Sequence, residues 1–419
     1  MKNLALHWKI LIGMALGVGF GLIMANFEFG KGFISDWIKP FGTIFINSLK
    51  LIAIPLILAS LIKGISDLKD ITKLSKMGGA TIAIYMITTL IAVSIGLIVV
   101  NVIKPGNSIS EETRIELINA YESDADQKRE VAEDTKNSGP LQALIDVVPS
   151  NIVSAASDNK NMLQVIFFSI LFGIAMILIP EKKSRPIKDF FDSFNDVILK
   201  IIDLIMLFAP YGVFALLATL IVEAPKWDLL KSLLLYSLTL ILGLAILIVL
   251  YLIIVKIFTG KSPNYFLKGI LPAQLVAFST SSSAATLPVT MDRVHNHLGV
   301  KEEVSSFVLP IGATITMDGT ALYQAIAAVF IAQTFGLDLS LGAQLGIILT
   351  ATLASIGAAA VPSAGIIVLV IVLSQAGIPE AGLALIFAVD RPLDMCRTVV
   401  NISGDATVSM LVNKLIKKK

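Results

Sequence analysis

Asp390, Asp394, Arg397, Asn401 and Asp405 stand in one otherwise apolar stretch, Ala381 to Val412, long enough to cross a bilayer. At about 100° per residue their side chains fall within roughly 80° of arc, so one helix face carries all five. A charge at mid-membrane costs about 2.5 to 3.5 kcal/mol on insertion scales. Such a face must line a binding site or a pathway. A fourth acid, Asp318, lies in the run from Pro310 to Thr320 beside Gly312, Gly319, Thr314, Thr316 and Thr320. This composition predicts a locally unwound helix, where carbonyls, hydroxyls and a carboxylate make an all-oxygen shell suited to a hard monovalent cation.

Charge balance sharpens the reading. Asp318, Asp390, Asp394 and Asp405 against Arg397 leave three surplus negative charges if all are ionised. Protons or metal cations must join them. Arg397 offers a planar fork for a carboxylate and Asp394 an acceptor for an ammonium, which together describe an amino acid with an anionic side chain. Arg391 is expected to neutralise Asp390, and Pro392 to start a helical turn.

Two further clusters share the pattern S-x-x-A-A-x-[LV]-P: Ser281 to Pro288 and Ser355 to Pro362. Broken backbone at membrane depth is tolerated only where it faces protein, water or a ligand. Paired interruptions in two halves of a chain point to a transporter site at a repeat interface, and the competing reading is a small-residue helix packing face.

The elements that must hold these groups are membrane spans. The 419 residues are 55% hydrophobic and 15% charged, with a mean hydropathy of +0.83. That excludes an ordinary soluble protein. Apolar segments fall near 10–26, 41–62, 79–103, 162–180, 194–222 and 229–258, each sufficient to cross roughly 30 Å of hydrocarbon. The basic connections 63–76, 182–188 and 256–268 and the tail Lys414 to Lys419 belong on the cytoplasmic side together with both termini. The acidic segment 107–139 suits the opposite side as a solvated loop. The first apolar run is expected to stay attached, not to be cleaved as a signal peptide. Trp8 and Trp37 are placed as interfacial anchors. One cysteine, Cys396, excludes an internal disulfide, and His295 and His297 diverge by about 200° on a helix, too far for a metal pair. Ile402-Ser403-Gly404-Asp405 lacks the glycine spacing of an intramembrane aspartyl protease, so no enzyme is expected; a channel remains the other class that lines polar helix faces.

On Thr280 to Pro288, Met317-Asp318-Gly319-Thr320, Ser355 to Gly365, and Asp394-Met395-Cys396-Arg397-Thr398-Val399-Val400-Asn401 with Gly404-Asp405, the chain resembles the dicarboxylate/amino acid:cation symporter family, which includes the glutamate transporters. The resemblance implies an all-α polytopic membrane protein with eight transmembrane helices, two re-entrant helical hairpins and inverted repeats, working as an elevator-type homotrimer in the cell inner membrane. It places scaffold helices 1–2 in 1–78, transport-domain helix 3 in 79–103, a polar extracellular loop in 104–160, scaffold helices 4–5 in 161–228 and the rest of the transport domain in 229–419. Hairpin 1 would occupy about 264–295 and hairpin 2, the gate, about 340–376. It implies uptake of aspartate or glutamate with co-transported sodium and no nucleic-acid partner; proton-coupled glutamate or C4-dicarboxylate symport is the alternative.

Carried over by position, the substrate shell would comprise Ser282, Ser283, Thr320, Val361, Asp394, Arg397, Thr398 and Asn401. Arg397 would hold the side-chain carboxylate and Asp394 the ammonium. One sodium site would use Gly312, Asn401 and Asp405; another Tyr85, Thr88, Thr89, Thr316 and Asp318; a third the main chain at Thr314, Met317, Ser355, Ile356 and Ala358. Thr316 stands where sodium-coupled members carry Asn, and its shorter reach predicts a weakened or rebuilt sodium site. Ala360 replaces the usual hairpin glycine, and Ala284 a serine found in some members. An acid at 405, where proton-coupled relatives bear an amide, favours sodium.

Overall fold

The structure is a computed structural model that describes residues 6–67, 75–120, 148–157, 161–223, 227–355 and 364–417. Among the described residues the regular elements are all helices: α1 (Leu6–Met24), α2 (Lys39–Asp67), α3 (Ser75–Ile103), α4 (Glu111–Ala120), α5 (Met162–Leu178), α6 (Glu181–Glu223), α7 (Trp227–Thr259), α8 (Pro263–Thr280), α9 (Ser283–Asp292), α10 (Glu302–Ile315), α11 (Asp318–Thr334), α12 (Leu341–Ser355), α13 (Ala364–Gln375) and α14 (Leu383–Lys417). Five described stretches are long and apolar enough to cross a membrane: Gly30–Ser66, Met77–Ser108, Glu181–Thr219, Asp228–Thr259 and Glu302–Thr334. Leu234, Leu238, Ile241, Ile246, Val249 and Ile253 stay exposed along α7, as a lipid-facing stripe requires. The chain is a multi-pass membrane protein.

Helix boundaries follow local chemistry. Gly260, at φ +74°, ends α7 in the left-handed region that costs glycine least. Ser262 then accepts the Tyr265 N–H at 3.2 Å and caps α8, with Pro263 at its first position. The basic connection expected over 256–268 is therefore only three residues long, because Lys256 belongs to α7 and Lys268 to α8.

Two other expected loops are helical as well. Residues 182–188 open α6, a 43-residue helix, where Phe190, Phe191 and Phe194 form an aromatic cluster with Phe172 of α5. Within the acidic segment, residues 111–120 form α4, braced by the Arg114 to Glu111 ion pair at 2.7 Å. Residues 121–139 of that segment lie outside the described residues, as do 68–74 of the first basic connection.

Helices α1, α2, α5 and α6 pack mainly on one another, while α3 and α7 to α14 form a second group. At its centre stands α11, buried along nearly its whole length, with Gly96 of α3 close enough to the Leu322 carbonyl that a Cβ there would lie 2.7 Å from the oxygen. Helix α14 runs beside α7, α8, α10 and α11. It is the common wall of everything described next.

Candidate functional site

The expected polar face of α14 is present and wholly inside the protein: Asp390, Asp394, Arg397, Asn401 and Asp405 are each no more than 7% exposed. They divide into two centres.

In the first, Arg397 Nη2 donates to Asp390 Oδ1 and to Asp394 Oδ1, both at 2.8 Å. Its guanidinium lies over the Tyr323 ring, with Cζ 3.7 Å from the centroid. Nε and Nη1 find no hydrogen-bond partner among the described residues. Nη1 points toward α13 and α11, since a Cβ built on Gly365 would lie 3.1 Å from it and 3.3 Å from Thr320 Cγ2. Arg391 pairs with Asp394, Nη1 to Oδ2 at 3.3 Å. The expected Arg391 to Asp390 neutralisation is thus corrected: three positions put Arg391 one helical turn from Asp394, whereas Asp390 is its chain neighbour and points elsewhere. Pro392 is likewise not at a helix start but inside α14, where it removes one main-chain donor from the turn before it.

The second centre joins α3, α7, α10, α11 and α14. Thr89 donates to Asp318 Oδ1 and Tyr251 to Asp318 Oδ2, each at 2.6 Å. Tyr85 lies beside Asp405 and donates to the Val308 carbonyl at 3.2 Å. A Cβ on Gly312 would strike both the Tyr85 hydroxyl and Asp405 Oδ1, which is why this position carries hydrogen alone. Asp318 and Asp405 are close enough for their charges to interact, and among the described residues no basic side chain pairs with either. Counting Arg391, which is 7% exposed, four buried acids face two buried guanidinium groups. The surplus is two, not three, and it sits at Asp318 and Asp405.

Between the centres the predicted unwinding is observed. Helix α10 ends at Ile315, and Thr316 (φ −137°, ψ 127°) and Met317 (φ −130°, ψ 80°) are extended before α11 starts at Asp318. The N–H groups opened by this break need acceptors. Asn401 Oδ1 takes them, from Gly319 at 2.8 Å and Thr320 at 3.3 Å, while its Nδ2 donates to Thr320 Oγ1 at 3.2 Å. Asn401 therefore caps α11 from another helix. The Thr316 hydroxyl is buried with no hydrogen-bond partner among the described residues.

The other expected residues are distributed as follows. Thr88 turns its hydroxyl to the Tyr85 carbonyl at 3.0 Å, and Thr398 to that of Asp394 at 2.9 Å. Ser281 takes a left-handed conformation (φ 52°) at the break between α8 and α9, Ser282 caps α9 by accepting the Ala285 N–H at 3.1 Å, and Ser283 is buried in its first turn. Ser355 stands in the second copy of the motif where Ser281 stands in the first and is buried in α12, while residues 356–363, the rest of that copy, lie outside the described residues. Thr314 contributes the main chain of the last turn of α10, and Met317 is buried. Val361, Ile356, Ala358 and Ala360 lie outside the described residues. Sequence reasoning missed Tyr251 and Tyr323. A tyrosine set in the aliphatic run 246–255 of α7 was the available signal for Tyr251, since a buried tyrosine hydroxyl seeks a partner.

Residues 6–415 match the model of the Sodium:dicarboxylate symporter family. Similar proteins include a proton/sodium-glutamate symport protein of Bacillus caldotenax, 33% identical over 417 residues, covering 99% of this chain and 95% of that protein. Excitatory amino acid transporter 3 of Homo sapiens is 39% identical over 460 residues, covering 100% and 87%. The proton/glutamate-aspartate symporter of Escherichia coli (strain K12) is 33% identical over 422 residues, covering 99% and 94%. With its membrane-length helices, its internally opposed charges and this match over nearly its whole length, the chain belongs to the sodium:dicarboxylate symporter family and is a transporter, not an enzyme.

Proposed function

We propose that this chain takes up acidic amino acids, aspartate or glutamate, coupled to sodium ions. The observation that carries the reading is the pair Asp318 and Asp405, buried without a basic partner among the described residues and lined by the hydroxyls of Thr89, Tyr251 and Tyr85. Carboxylates, hydroxyls and main-chain carbonyls are hard oxygen donors, the set a sodium ion takes. The substrate would sit one to three turns along α14, its side-chain carboxylate on Arg397 Nη1 and Nε and its ammonium at Asp394, with Thr320, Asn401, Thr398, Ser282, Ser283 and Val361 around it. Names of relatives support this substrate class, being glutamate, glutamate-aspartate and excitatory amino acid transporters.

In this reading the break after α8 and the second copy of the motif, 355–362, are the tips of two re-entrant hairpins, the second of which gates the site. The α1, α2, α5 and α6 group serves as scaffold in a homotrimer, and the group around α11 carries substrate and ions as an elevator. Eight spanning helices then place both termini in the cytoplasm, with the chain in the cell inner membrane. The test is uptake of radiolabelled aspartate into proteoliposomes with a sodium gradient against choline on both sides. Equal uptake in the two buffers would refute sodium coupling. A pH gradient replacing the sodium gradient separates out the proton-coupled reading, which two relatives' names raise.

A further inference from the structure

Helix α12 leads into the second copy of the repeated motif, and α13 follows it. The two pack on each other and on α11, with Ile347, Ala351 and Ala354 of α12 turned inward. Helix α13 starts directly over the first centre, since a Cβ built on Gly365 would lie 3.1 Å from Arg397 Nη1 and 3.3 Å from Thr320 Cγ2. Even a methyl group would crowd the guanidinium there. The helices beside the first motif copy are pinned by polar contacts at several points. Gln274 Nε2 of α8 donates to Ser403 Oγ of α14 at 2.9 Å, Arg293 Nε to the Gly269 carbonyl at 2.7 Å, and the Lys301 N–H to Asn413 Oδ1 of α14 at 3.3 Å.

Beside the second copy the balance is different. Among the described residues α12 has one side-chain hydrogen bond to another helix: Asn101 Nδ2, in the last turn of α3, donates to Gln344 Oε1 at 2.9 Å. Each amide is oriented from its own side, because Asn101 Nδ2 also donates to the Leu97 carbonyl at 2.9 Å and Gln344 Nε2 to the Leu339 carbonyl at 3.2 Å. Farther along α12, the hydroxyls of Thr350 and Thr352 are buried with no hydrogen-bond partner among the described residues. Unsatisfied buried hydroxyls favour any position of the helix in which they regain a partner. The packed position is thus held by one polar bond at the start of α12 and opposed by two orphaned groups toward its end.

We propose that Asn101 and Gln344 form a latch, a pair of positioning residues that keeps α12 and α13 down over Arg397 and sets how fast bound substrate escapes. Neither belongs to the proposed substrate shell, so they act through the placement of α13. This inference rests on the reading in which the hairpin of α12 and α13 gates the Arg397 site. Breaking one hydrogen bond between neutral amides shifts the balance toward the lifted position by about three- to tenfold.

The experiment compares two ligands on the purified full chain in sodium: aspartate, and aspartate enlarged by a benzyloxy group on its β-carbon. The small ligand can be covered, whereas the added ring keeps α13 from settling at Gly365. One complex therefore has the latch made and the other has it broken, so the ratio of their dissociation constants reads the latch whichever position the empty protein prefers. In Asn101→Leu and in Gln344→Leu the ratio of benzyl ether to aspartate should fall by about three- to tenfold, and labelled aspartate chased with unlabelled aspartate should leave faster by a similar factor. The double variant should go no further than either single one. A ratio that stays at the wild-type value in both single variants, as it would if the pair only stabilised the fold, overturns the proposal, and so does an additive fall in the double variant. Failure of the underlying reading looks different: the wild type would then show no saturable aspartate binding in sodium, and the latch would fall with it, whereas failure of the latch alone leaves wild-type binding intact with the variants matching it.

Discussion

Asp394 and Asp405 stand on the same face of one helix, about 16 Å apart along its axis at ~1.5 Å per residue, yet their surroundings have little in common. Around Asp394 every acid meets a guanidinium carried by the same helix. Around Asp405 and Asp318 there are hydroxyls from two other helices, α3 and α7, and, among the described residues, no basic partner. The first centre is balanced from within and can exchange one ionic partner for another. The second can reach balance only with a charge from outside. A symporter needs both kinds of site, one selective for solute geometry and one whose occupancy depends on the ion.

The contrast is broken most severely by Arg397→Ala. Removing one partner of a buried ion network costs about 3 to 5 kcal/mol, so aspartate affinity, read by calorimetry or thermal shift, should fall by more than about a hundredfold; retained affinity would remove Arg397 from the substrate site. Next comes Asp405→Asn, which takes one surplus charge from the second centre. The concentration of sodium for half-maximal uptake should rise about tenfold, and the stabilisation that sodium gives over choline should shrink. An undiminished sodium-induced shift would mean that the ion binds elsewhere. Tyr251→Phe loses one charge-assisted hydrogen bond, worth about 1.5 to 3 kcal/mol in stability before relaxation. It should alter sodium dependence while leaving aspartate affinity at saturating sodium within about threefold, and a larger effect on aspartate than on sodium would contradict the separation of centres. The smallest effect on folding stability belongs to Asn401→Ala. Loss of a helix cap costs about 1 kcal/mol, seen as a modest fall in melting temperature, while aspartate affinity falls as well because Asn401 also stands in the proposed substrate shell.

Much of this was legible from residue spacing alone. The period of α14 put five polar side chains on one face, and a Pro, Gly and Thr-rich run foretold the break at Thr316 and Met317. Gly260, Ser262 and Pro263 carry a helix end and a helix start that the reading of 256–268 as one basic connection passed over. What escaped were relations between distant positions. Tyr251 and Asp318 are 67 residues apart in sequence, and Asn401 and Gly319 are 82 apart. Pairing across such distances is decided by helix packing that no local period records. Arg391 was assigned to its chain neighbour because one-dimensional proximity was given priority over the helical turn. Basic and acidic runs were read as loops for their polarity, although long amphipathic helices such as α6 carry the same residues on a solvated face.

Asn401 fastens α14 to the start of α11 by three hydrogen bonds, as a rivet fastens two plates. Asp318 is the residue just before Gly319, so the spacing between the guanidinium clamp and the oxygen-lined pocket is locked by a single amide. On the proposed assignment of the two centres, any displacement of this group of helices carries solute and ion with no slack between them, and a carrier without slack has little room to leak one cargo without the other.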